Sequence, residues 1–202
     1  MAAGSLAARF AQLCEGGVPN YFGPQRFGHG GSNIARARAL LAQGWRKKRD
    51  RDGLLLSSAR SLVFNNLLAE RIADASWCRG LDGDIFNLAG SASQFAAGVL
   101  DDDLRRRLAA LDIHPTGPLW GIGSPESDGE AAALERRIAQ QEAGLVSGIE
   151  AAGARPARRA LRVALANTAI ASQGECARLR FELPRGSFAT AVLRELVVAP
   201  GL

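Results

Sequence analysis

Apolar residues recur every three or four positions in several stretches, and this spacing predicts most of the helices in the chain. Near the start, Leu6, Phe10 and Leu13 fall on one helical face. The clearest helix is 57–74, which contains neither glycine nor proline and can be capped by Ser57. The same spacing predicts helices over 33–43, 130–146 and 188–198, and a further helix that starts near 101 with acidic residues first and basic residues last.

Period-two alternation replaces the helical spacing near the end of the chain. Apolar residues alternate with mostly polar ones over 161–165 and over 177–183, which predicts two half-buried strands that pair as antiparallel neighbours. Residues 184–187 predict the turn that leads to the final helix. The remaining predictions are a turn into a short strand over 81–90, a rigid loop over 114–121 and a small-residue linker over 148–155.

The stretch 17–33 shows neither pattern. It reads G-V-P-N-Y-F-G-P-Q-R-F-G-H-G-G-S-N, with five glycines and two prolines among Tyr21, Phe22 and Phe27. Glycine and proline oppose regular structure, whereas the aromatic side chains favour burial. We therefore predict a compact loop that holds aromatic faces beside an arginine. The alternative is structural packing without a site.

The glycine-rich end of this stretch leads directly into the helix predicted over 33–43. Backbone N–H groups at such a helix start can bind an anion, phosphate included. The segment G-H-G-G-S-N is not a P-loop, because it lacks the G-K-[S/T] ending and follows no clear strand pattern.

Charge is segregated along the chain, although the net charge is only +5. Basic residues outnumber acidic ones by nine to two over 26–60 and by eight to two over 155–194, whereas acidic residues outnumber basic ones by fourteen to seven over 61–154. Arginine is suited to bidentate phosphate recognition, although a GC-rich genome also enriches it. The segregation indicates an acidic module inserted between two parts of a nucleic-acid-binding body.

Cysteine and histidine usage argues against metal chemistry. The three cysteines are widely spaced without a C-x-x-C pair, and there are only two histidines. Asp82 and Asp84 flank Gly83, an arrangement typical of a turn whose carboxylates bond the backbone. No apolar run approaches the ~18 residues that cross a bilayer, and the start lacks a signal-peptide pattern. We therefore expect a cytoplasmic protein without a metal or membrane association.

Four motifs in the chain resemble those of one family, the TruD family of tRNA pseudouridine synthases. The most specific is V-P-N-Y-F-G-x-Q-R-F-G, which is filled at every fixed position by Val18–Gly28. The other three follow in the family's order: S-A-R-S-x-x-F-N at Ser58–Asn65, P-T-G-P-L-W-G at Pro115–Gly121, and L-P-R-G-S-F-A-T-A-V-L-R-E-L at Leu183–Leu196.

The resemblance implies an α+β fold in which part of a pseudouridine synthase catalytic domain, with a mixed or antiparallel sheet and helices, is interrupted by an inserted TRUD-type accessory domain. It places the first part of the catalytic domain at 1–45, the accessory domain at 46–162 and the return segment at 163–202. Charge alone would start the inserted domain later, near Ser61.

The resemblance also implies a function, the isomerisation of uridine to pseudouridine at position thirteen in the D arm of tRNA, without a cofactor. A flipped-out base needs a pocket with an aromatic face and nearby phosphate contacts. The implied active-site residues are Asn20, Phe22, Arg26 and Phe188, with a supporting role for Arg60 and Asn65. The expected RNA phosphate contacts are Arg36, Arg46, Lys47, Lys48 and Arg49.

No catalytic residue is assigned within this chain. The family's nucleophilic aspartate belongs to a G-L-K-D-R motif that precedes the Val18–Gly28 motif, and no aspartate precedes Asn20 here. We therefore expect that the chain is the C-terminal portion of such an enzyme and is inactive alone, with tRNA and a missing N-terminal half as its partners. The alternative is a non-catalytic RNA-binding protein derived from such an enzyme.

Overall fold

Helices and antiparallel strands alternate along the chain in the computed structural model, which describes residues 3–45, 50–173 and 176–197. The helices are α1 Ala3–Gly16, α2 Ser32–Ala42, α3 Asp50–Ala73, α4 Ser76–Arg79, α5 Asp102–Ala109, α6 Gly129–Gln141, α7 Ala143–Ala151 and α8 Ala189–Leu196. The strands are β1 Val18–Pro19, β2 Ile85–Leu88, β3 Gln94–Ala96, β4 Ile113–Leu119, β5 Ala157–Ala160, β6 Arg162–Val163, β7 Ala166–Gln173 and β8 Cys176–Glu182.

The strands form three antiparallel groups. A four-stranded sheet has the order β3-β2-β4-β5, β1 pairs with β6, and β7 forms a hairpin with β8. The pairing of Val18 with Val163 brings together two segments that lie far apart in sequence. This combination of helices with antiparallel sheets confirms the α+β class.

The largest core lies between the helices α2, α3, α6 and α7 and one face of β4. It includes Phe64 and Leu67 of α3, Ile138 of α6 and Ile149 of α7, all almost fully buried. Gly117 in β4 permits the close approach of α3, because a Cβ there would lie 2.8 Å from a methyl carbon of Leu67. Phe22 belongs to this core, and Phe188 packs against it.

A second, smaller core joins the two ends of the described chain. Phe10 and Leu13 of α1 pack with Val18, Val163, Val192 and Leu196, so that α1, β1, β6 and α8 share one interior. Leu179 and Phe181 of the β7–β8 hairpin lie against this interior, whereas most of the hairpin's other side chains are exposed. A third cluster, around Phe86 and Ile113, packs α5 on β2 and β4.

The prediction of a rigid loop over 114–121 is wrong, because most of this stretch is the central strand β4. Pro115 and Pro118 lack the N–H that a central strand normally donates, which is why the sequence disfavours a strand here. The neighbouring strand is bonded by a side chain, since the Thr116 hydroxyl donates to the Ile85 carbonyl at 2.6 Å. The Pro115 carbonyl remains an acceptor and bonds the Leu161 N–H at 2.8 Å.

Two further predictions near the middle of the chain need correction. The single exposed helix predicted over 130–146 is two helices with buried faces, divided at Glu142. The linker predicted over 148–155 is partly helical, since α7 continues to Ala151. Its small residues serve packing, because a Cβ on Gly148 would lie 2.5 Å from Cβ of Leu41 on α2.

The predicted pairing of 161–165 with 177–183 is also wrong. The 177–183 segment pairs with β7, and β6 pairs with β1. Strand β7 contains mainly small and polar residues, A-N-T-A-I-A-S-Q, so its alternation is too weak to be recognised from hydrophobicity. The helices predicted near the start, over 33–43 and after Phe188, and the turn at 184–187, are confirmed.

Candidate functional site

Three phenylalanine rings meet where the loop after β1 approaches α3 and the start of α8. The ring centroid of Phe22 lies 5.5 Å from that of Phe64 and 5.8 Å from that of Phe188, and both contacts are edge-to-face. Phe22 is only 7% exposed, whereas Phe188 is partly buried. The two rings that the family resemblance assigns to the active site are therefore in direct contact, and Phe188 is the more accessible one.

An asparagine on α3 holds the backbone of Phe22. Asn65 Oδ1 accepts from the Phe22 N–H at 3.0 Å, and Asn65 Nδ2 donates to the Phe22 carbonyl at 3.0 Å. A buried loop has no neighbouring strand to satisfy its backbone, so a side chain has to do so. The carboxamide of Asn65 therefore fixes the loop at the residue that carries the central ring.

Positive charge is concentrated beside this aromatic cluster. The guanidinium carbon of Arg159, on β5, lies 4.2 Å from the centroid of Phe22, and that of Arg26 lies 5.3 Å from Phe22 and 6.0 Å from Phe188. Burial, and secondly the nearby Arg26 cation, lower the pKa of Arg159 to about 10, so Arg159 remains charged at neutral pH.

Arg26 is held by α3 through its side chain and its backbone. Its Nη1 donates to the Ser57 hydroxyl at 3.0 Å, and its carbonyl accepts from the Ser58 hydroxyl at 2.8 Å. Its Nε is buried and has no hydrogen-bond partner among the described residues. The predicted cap role of Ser57 is wrong, since α3 begins seven residues earlier and Ser57 contacts Arg26 instead.

Asn20 is buried between β5 and the turn at 184–187. Its backbone N–H donates to the Leu161 carbonyl at 2.8 Å, and its Nδ2 donates to the Ala160 carbonyl at 2.8 Å. Its Oδ1 accepts from Nη2 of Arg159 at 2.5 Å. These bonds determine which end of the carboxamide is nitrogen and which is oxygen, because the carbonyl of Ala160 can only accept and the guanidinium can only donate.

A cavity of about 620 Å³ opens beside Asn20, between the loop after β2 and the turn before Phe188. It is large enough for a small-molecule-sized group such as a nucleotide. Its polar walls come from Asn20, Asn87, His114, Arg159 and Arg185. Neither Phe22 nor Phe188 is among the residues that line it, although Ser187 is.

His114 is a buried wall residue of this cavity. Arg162 Nε donates to His114 Nδ1 at 3.3 Å, so Nδ1 carries no proton in this arrangement. Burial, and then the Arg162 cation, lower the pKa of His114 to about 4. The imidazole is therefore neutral at neutral pH, with its proton on Nε2.

The predicted anion site at the start of α2 is not supported. The N–H groups of Gly31, Ser32 and Asn33 donate to the carbonyls of Gly28, His29 and Phe27, respectively. Three successive donors are thus satisfied within the loop and cannot all face an anion. Positive φ at Gly28, Gly30 and Gly31 makes this tight arrangement possible.

Only one of the five predicted phosphate contacts, Arg36, lies among the described residues. Arg36 lies on the exposed face of α2. Arg46, Lys47, Lys48 and Arg49 lie outside the described residues.

Sequence reasoning missed three residues of the site, namely Arg159, His114 as a cavity wall, and Arg185. Arg159 lies beside Arg158 in a strand without hydrophobic alternation, so no pattern distinguishes their roles. Arg60, for which the sequence predicts a supporting role, contacts the backbone. It donates to the backbone carbonyls of Leu119, Trp120 and Arg155.

The pair of aspartates around Gly83 is structural, as predicted. Asp84 forms a fully buried ion pair with Arg71 at 2.6 Å, and Asp82 accepts from the Leu100 N–H at 2.9 Å. Within residues 3–45, 50–173 and 176–197, no group of three His, Cys, Asp or Glu side chains could hold a metal ion. None of the helices described there is long and apolar enough to cross a membrane.

The fold has a solved counterpart. A crystal structure described as that of a tRNA pseudouridine synthase D from Methanosarcina mazei matches this chain with a TM-score of 0.69, covering 93% of this chain and 62% of that one. At 18% sequence identity, this likeness establishes the fold.

Sequence similarity then establishes the family. The family model for tRNA pseudouridine synthase D (TruD) matches residues 48–196. The chain is 50% identical over 198 residues to a tRNA pseudouridine synthase D of Chromohalobacter salexigens and 47% identical over 194 residues to that of Methylococcus capsulatus. It therefore belongs to the TruD family. These two matches include 98% and 95% of this chain. They include only 57% and 55% of the length of the two relatives.

Proposed function

We propose that this chain supplies the uridine-binding part of a tRNA pseudouridine synthase that acts at position thirteen of the D arm. One observation carries the proposal. Asn20, Phe22, Arg26 and Phe188, which lie up to 168 positions apart in sequence, are joined by ring contacts or through Arg159. Family membership supports the reaction type, and the cytoplasm is where such an enzyme would meet its tRNA.

The geometry suggests a division of labour among these residues. Phe188 is accessible enough to contact a flipped-out base, whereas Phe22 supports it from behind. Arg26 has a guanidinium beside both rings, and its positive charge there can favour an anionic or carbonyl oxygen of the nucleotide. Asn20 presents its carboxamide at the cavity wall. Arg36, Arg46, Lys47, Lys48 and Arg49 are the proposed contacts to RNA phosphates.

The isomerisation breaks the bond between C1′ of the ribose and N1 of uracil and forms a bond between C1′ and C5 of the same base. The hydrogen on C5 leaves to water as a proton, and N1 gains a proton. In the family an aspartate attacks the nucleotide. No carboxylate is among the residues that line the described cavity. We propose that the aspartate comes from the N-terminal half of the family's catalytic domain, which would make this half the protein partner of the described residues.

The proposed domain division is 1–45 and 163–202 for the catalytic domain and 46–162 for the accessory domain. Two observations support it. The Val18–Val163 pairing joins the proposed catalytic segments, and the core around Phe10 and Val192 is built from them alone. The cavity lies where both proposed domains meet, since its walls include Asn87 and Arg185.

The test uses a tRNA transcript that carries tritium on C5 of its uridines, because pseudouridine formation releases that tritium to water. We expect no release with this chain alone. Release should begin when the chain is mixed with a polypeptide that contains the part of the Chromohalobacter salexigens relative that this chain does not match. Replacement of Phe188 by alanine in the mixture should reduce the rate by about 100-fold.

Binding of a D-arm RNA hairpin by the chain alone is measured in parallel. Binding without any release in the mixture would favour the non-catalytic RNA-binding alternative. Release by the chain alone would show that the attacking carboxylate lies within this chain, and absence of both binding and release would contradict the proposal.

The basic cluster at 46–49 can be tested separately by salt dependence. The double substitution Arg46→Ala with Lys47→Ala should weaken binding of the hairpin and reduce the slope of log Kd against log salt by about 1–2. Arg105→Ala with Arg106→Ala, on the exposed face of α5, is the matched control. An unchanged slope in the first variant would exclude this cluster from the RNA interface.

A further inference from the structure

Arg159 joins two segments that carry proposed site residues. Its Nε donates to the Asn20 carbonyl at 3.1 Å, its Nη2 donates to Asn20 Oδ1 at 2.5 Å, and its Nη1 donates to the Gly186 carbonyl at 3.0 Å. All three donor nitrogens of the guanidinium are thus engaged. Asn20 and Gly186 are 166 positions apart, so one side chain links the loop after β1 to the turn before α8.

The guanidinium also fixes the central ring of the cluster. Its carbon lies 4.2 Å from the centroid of Phe22 and 5.6 Å from that of Phe64. At this distance the planar guanidinium occupies one face of Phe22, so that face is closed to a base. Since Phe22 is also only 7% exposed, the more accessible ring, Phe188, is the better stacking surface for a base.

Gly186 is a sensitive point in the turn. It has φ of +89°, and two residues later the chain reaches Phe188. The turn has one internal backbone bond, from the Ser187 N–H to the Pro184 carbonyl at 3.1 Å. The bond from Arg159 to the Gly186 carbonyl therefore links the turn to the sheet that also holds Asn20.

We propose that Arg159 is a positioning residue of the uridine site, which sets the orientation of the Asn20 carboxamide and the place of the Phe188 ring relative to each other. The inference rests on the proposed function of these two residues. Arg159 need not touch the substrate for this role. An arginine is required because the role needs a fork of three donors and a flat face at once, and lysine offers neither.

The test compares Arg159→Met and Arg159→Lys with Arg106→Met, an exposed arginine whose side chain is 71% accessible. Methionine keeps a long side chain beside the Phe22 ring but forms none of the three hydrogen bonds. Lysine keeps the positive charge but lacks the planar guanidinium and its fixed set of donors. Pseudouridine formation is followed by tritium release in the mixture with the N-terminal part of the relative. We expect kcat to fall by about 10- to 100-fold in both Arg159 variants, with KM changed by less than about threefold. Arg106→Met should behave as the unchanged chain.

A second readout does not depend on activity. With 4-fluorophenylalanine incorporated at position 188, the ¹⁹F resonance of the ring should shift or broaden in Arg159→Met and Arg159→Lys but not in Arg106→Met. If Arg159→Met does not fold, Arg159→Lys still gives both readouts. An unchanged ¹⁹F signal together with an unchanged kcat would overturn the positioning role.

The two readouts separate the failure of this inference from failure of the proposed function. Absence of tritium release and RNA binding in the unsubstituted protein would reject the function. In that case a shifted ¹⁹F signal would still support the coupling of Phe188 to Arg159, and an unshifted one would reject it. A fall in RNA affinity without any change in kcat would show that Arg159 contacts RNA and would contradict a positioning role.

Discussion

The intervening segment 21–161 contains buried ion pairs as well as exposed ones, whereas the ion pair described within the terminal segments 3–20 and 162–197 is exposed. In the intervening segment, Arg71 pairs with Asp84 with both side chains fully buried, and Arg158 pairs with Glu135 with side chains 2% and 0% exposed. The ion pair described within the terminal segments joins Arg9 to Glu195, whose side chains are 47% and 26% exposed.

The two regions therefore differ in how far their structure depends on buried charges and in how much of their surface stays accessible. A buried ion pair requires its partner, since an unpaired charge in the interior is strongly unfavourable. The arrangement of the intervening segment is therefore specified by polar contacts as well as by apolar packing. The terminal segments have a small core and an exposed β7–β8 hairpin, so their structure depends on fewer contacts and leaves more surface for partners.

Removal of one member of a buried pair should produce the largest effect. Asp84→Ala leaves the Arg71 guanidinium buried without its carboxylate and also removes the acceptor for the Leu81 N–H. We expect the free energy of unfolding to fall by about 3–5 kcal/mol, measured by urea denaturation. Asp103→Ala, in an exposed pair on α5, is the control and should change it by less than about 1 kcal/mol. Equal effects would remove the distinction between buried and exposed ion pairs.

The contact between α3 and the site loop should have an intermediate effect. Asn65→Ala leaves the N–H and carbonyl of Phe22 without the two bonds that hold them. We expect a loss of about 1–3 kcal/mol in the free energy of unfolding, together with weaker binding of the D-arm hairpin. The control is Asn66→Ala, at the next position. The Asn66 side chain donates to Glu142 and not to the loop, so its removal should leave hairpin binding unchanged. Equal hairpin affinity for both variants would contradict a link between Asn65 and the site.

His114 and Arg162 connect the two regions, and their contact predicts a pH dependence. The pKa of His114 is lowered to about 4 in the folded chain, below its ordinary value of about 6.5. Between these values the unfolded chain binds more protons, so the folded state loses stability as the pH falls. From pH 7 to pH 5 the free energy of unfolding should decrease by about 1–2 kcal/mol through this group.

The measurement is urea denaturation of the unchanged chain and of His114→Gln at about pH 7, 6 and 5. The variant lacks the titrating imidazole, so its stability should decline less over this range. Parallel declines would show that other groups cause the pH dependence.

Site residues that belong to a short sequence motif could be predicted. Residues whose role depends on contacts with distant parts of the chain could not. Asn20, Phe22, Arg26 and Phe188 could all be named from two motifs, and the structure brings them together. The role of Arg159 could not be inferred, because a guanidinium that stacks on a ring and bonds two distant carbonyls leaves no periodic pattern. Strand β4 was missed for a related reason, since its prolines disfavour a strand, whereas the bonds from Arg158 to Thr116 and from the Thr116 hydroxyl to Ile85 leave no periodic pattern.

The exposed pair of the terminal segments should show the smallest effect and completes the comparison. Glu195→Gln removes the charge that faces Arg9 at 3.2 Å but retains an acceptor for its guanidinium. Arg9 also donates to the Glu195 backbone carbonyl at 3.1 Å, a bond that the substitution does not remove. Because water and salt screen this pair, the free energy of unfolding should change by less than about 0.5 kcal/mol, and less again at high salt. Urea denaturation at low and high salt measures both values. A loss as large as that of Asp84→Ala would contradict the comparison. It would mean that the exposed pair of the terminal segments contributes as much to the free energy of unfolding as a buried pair does.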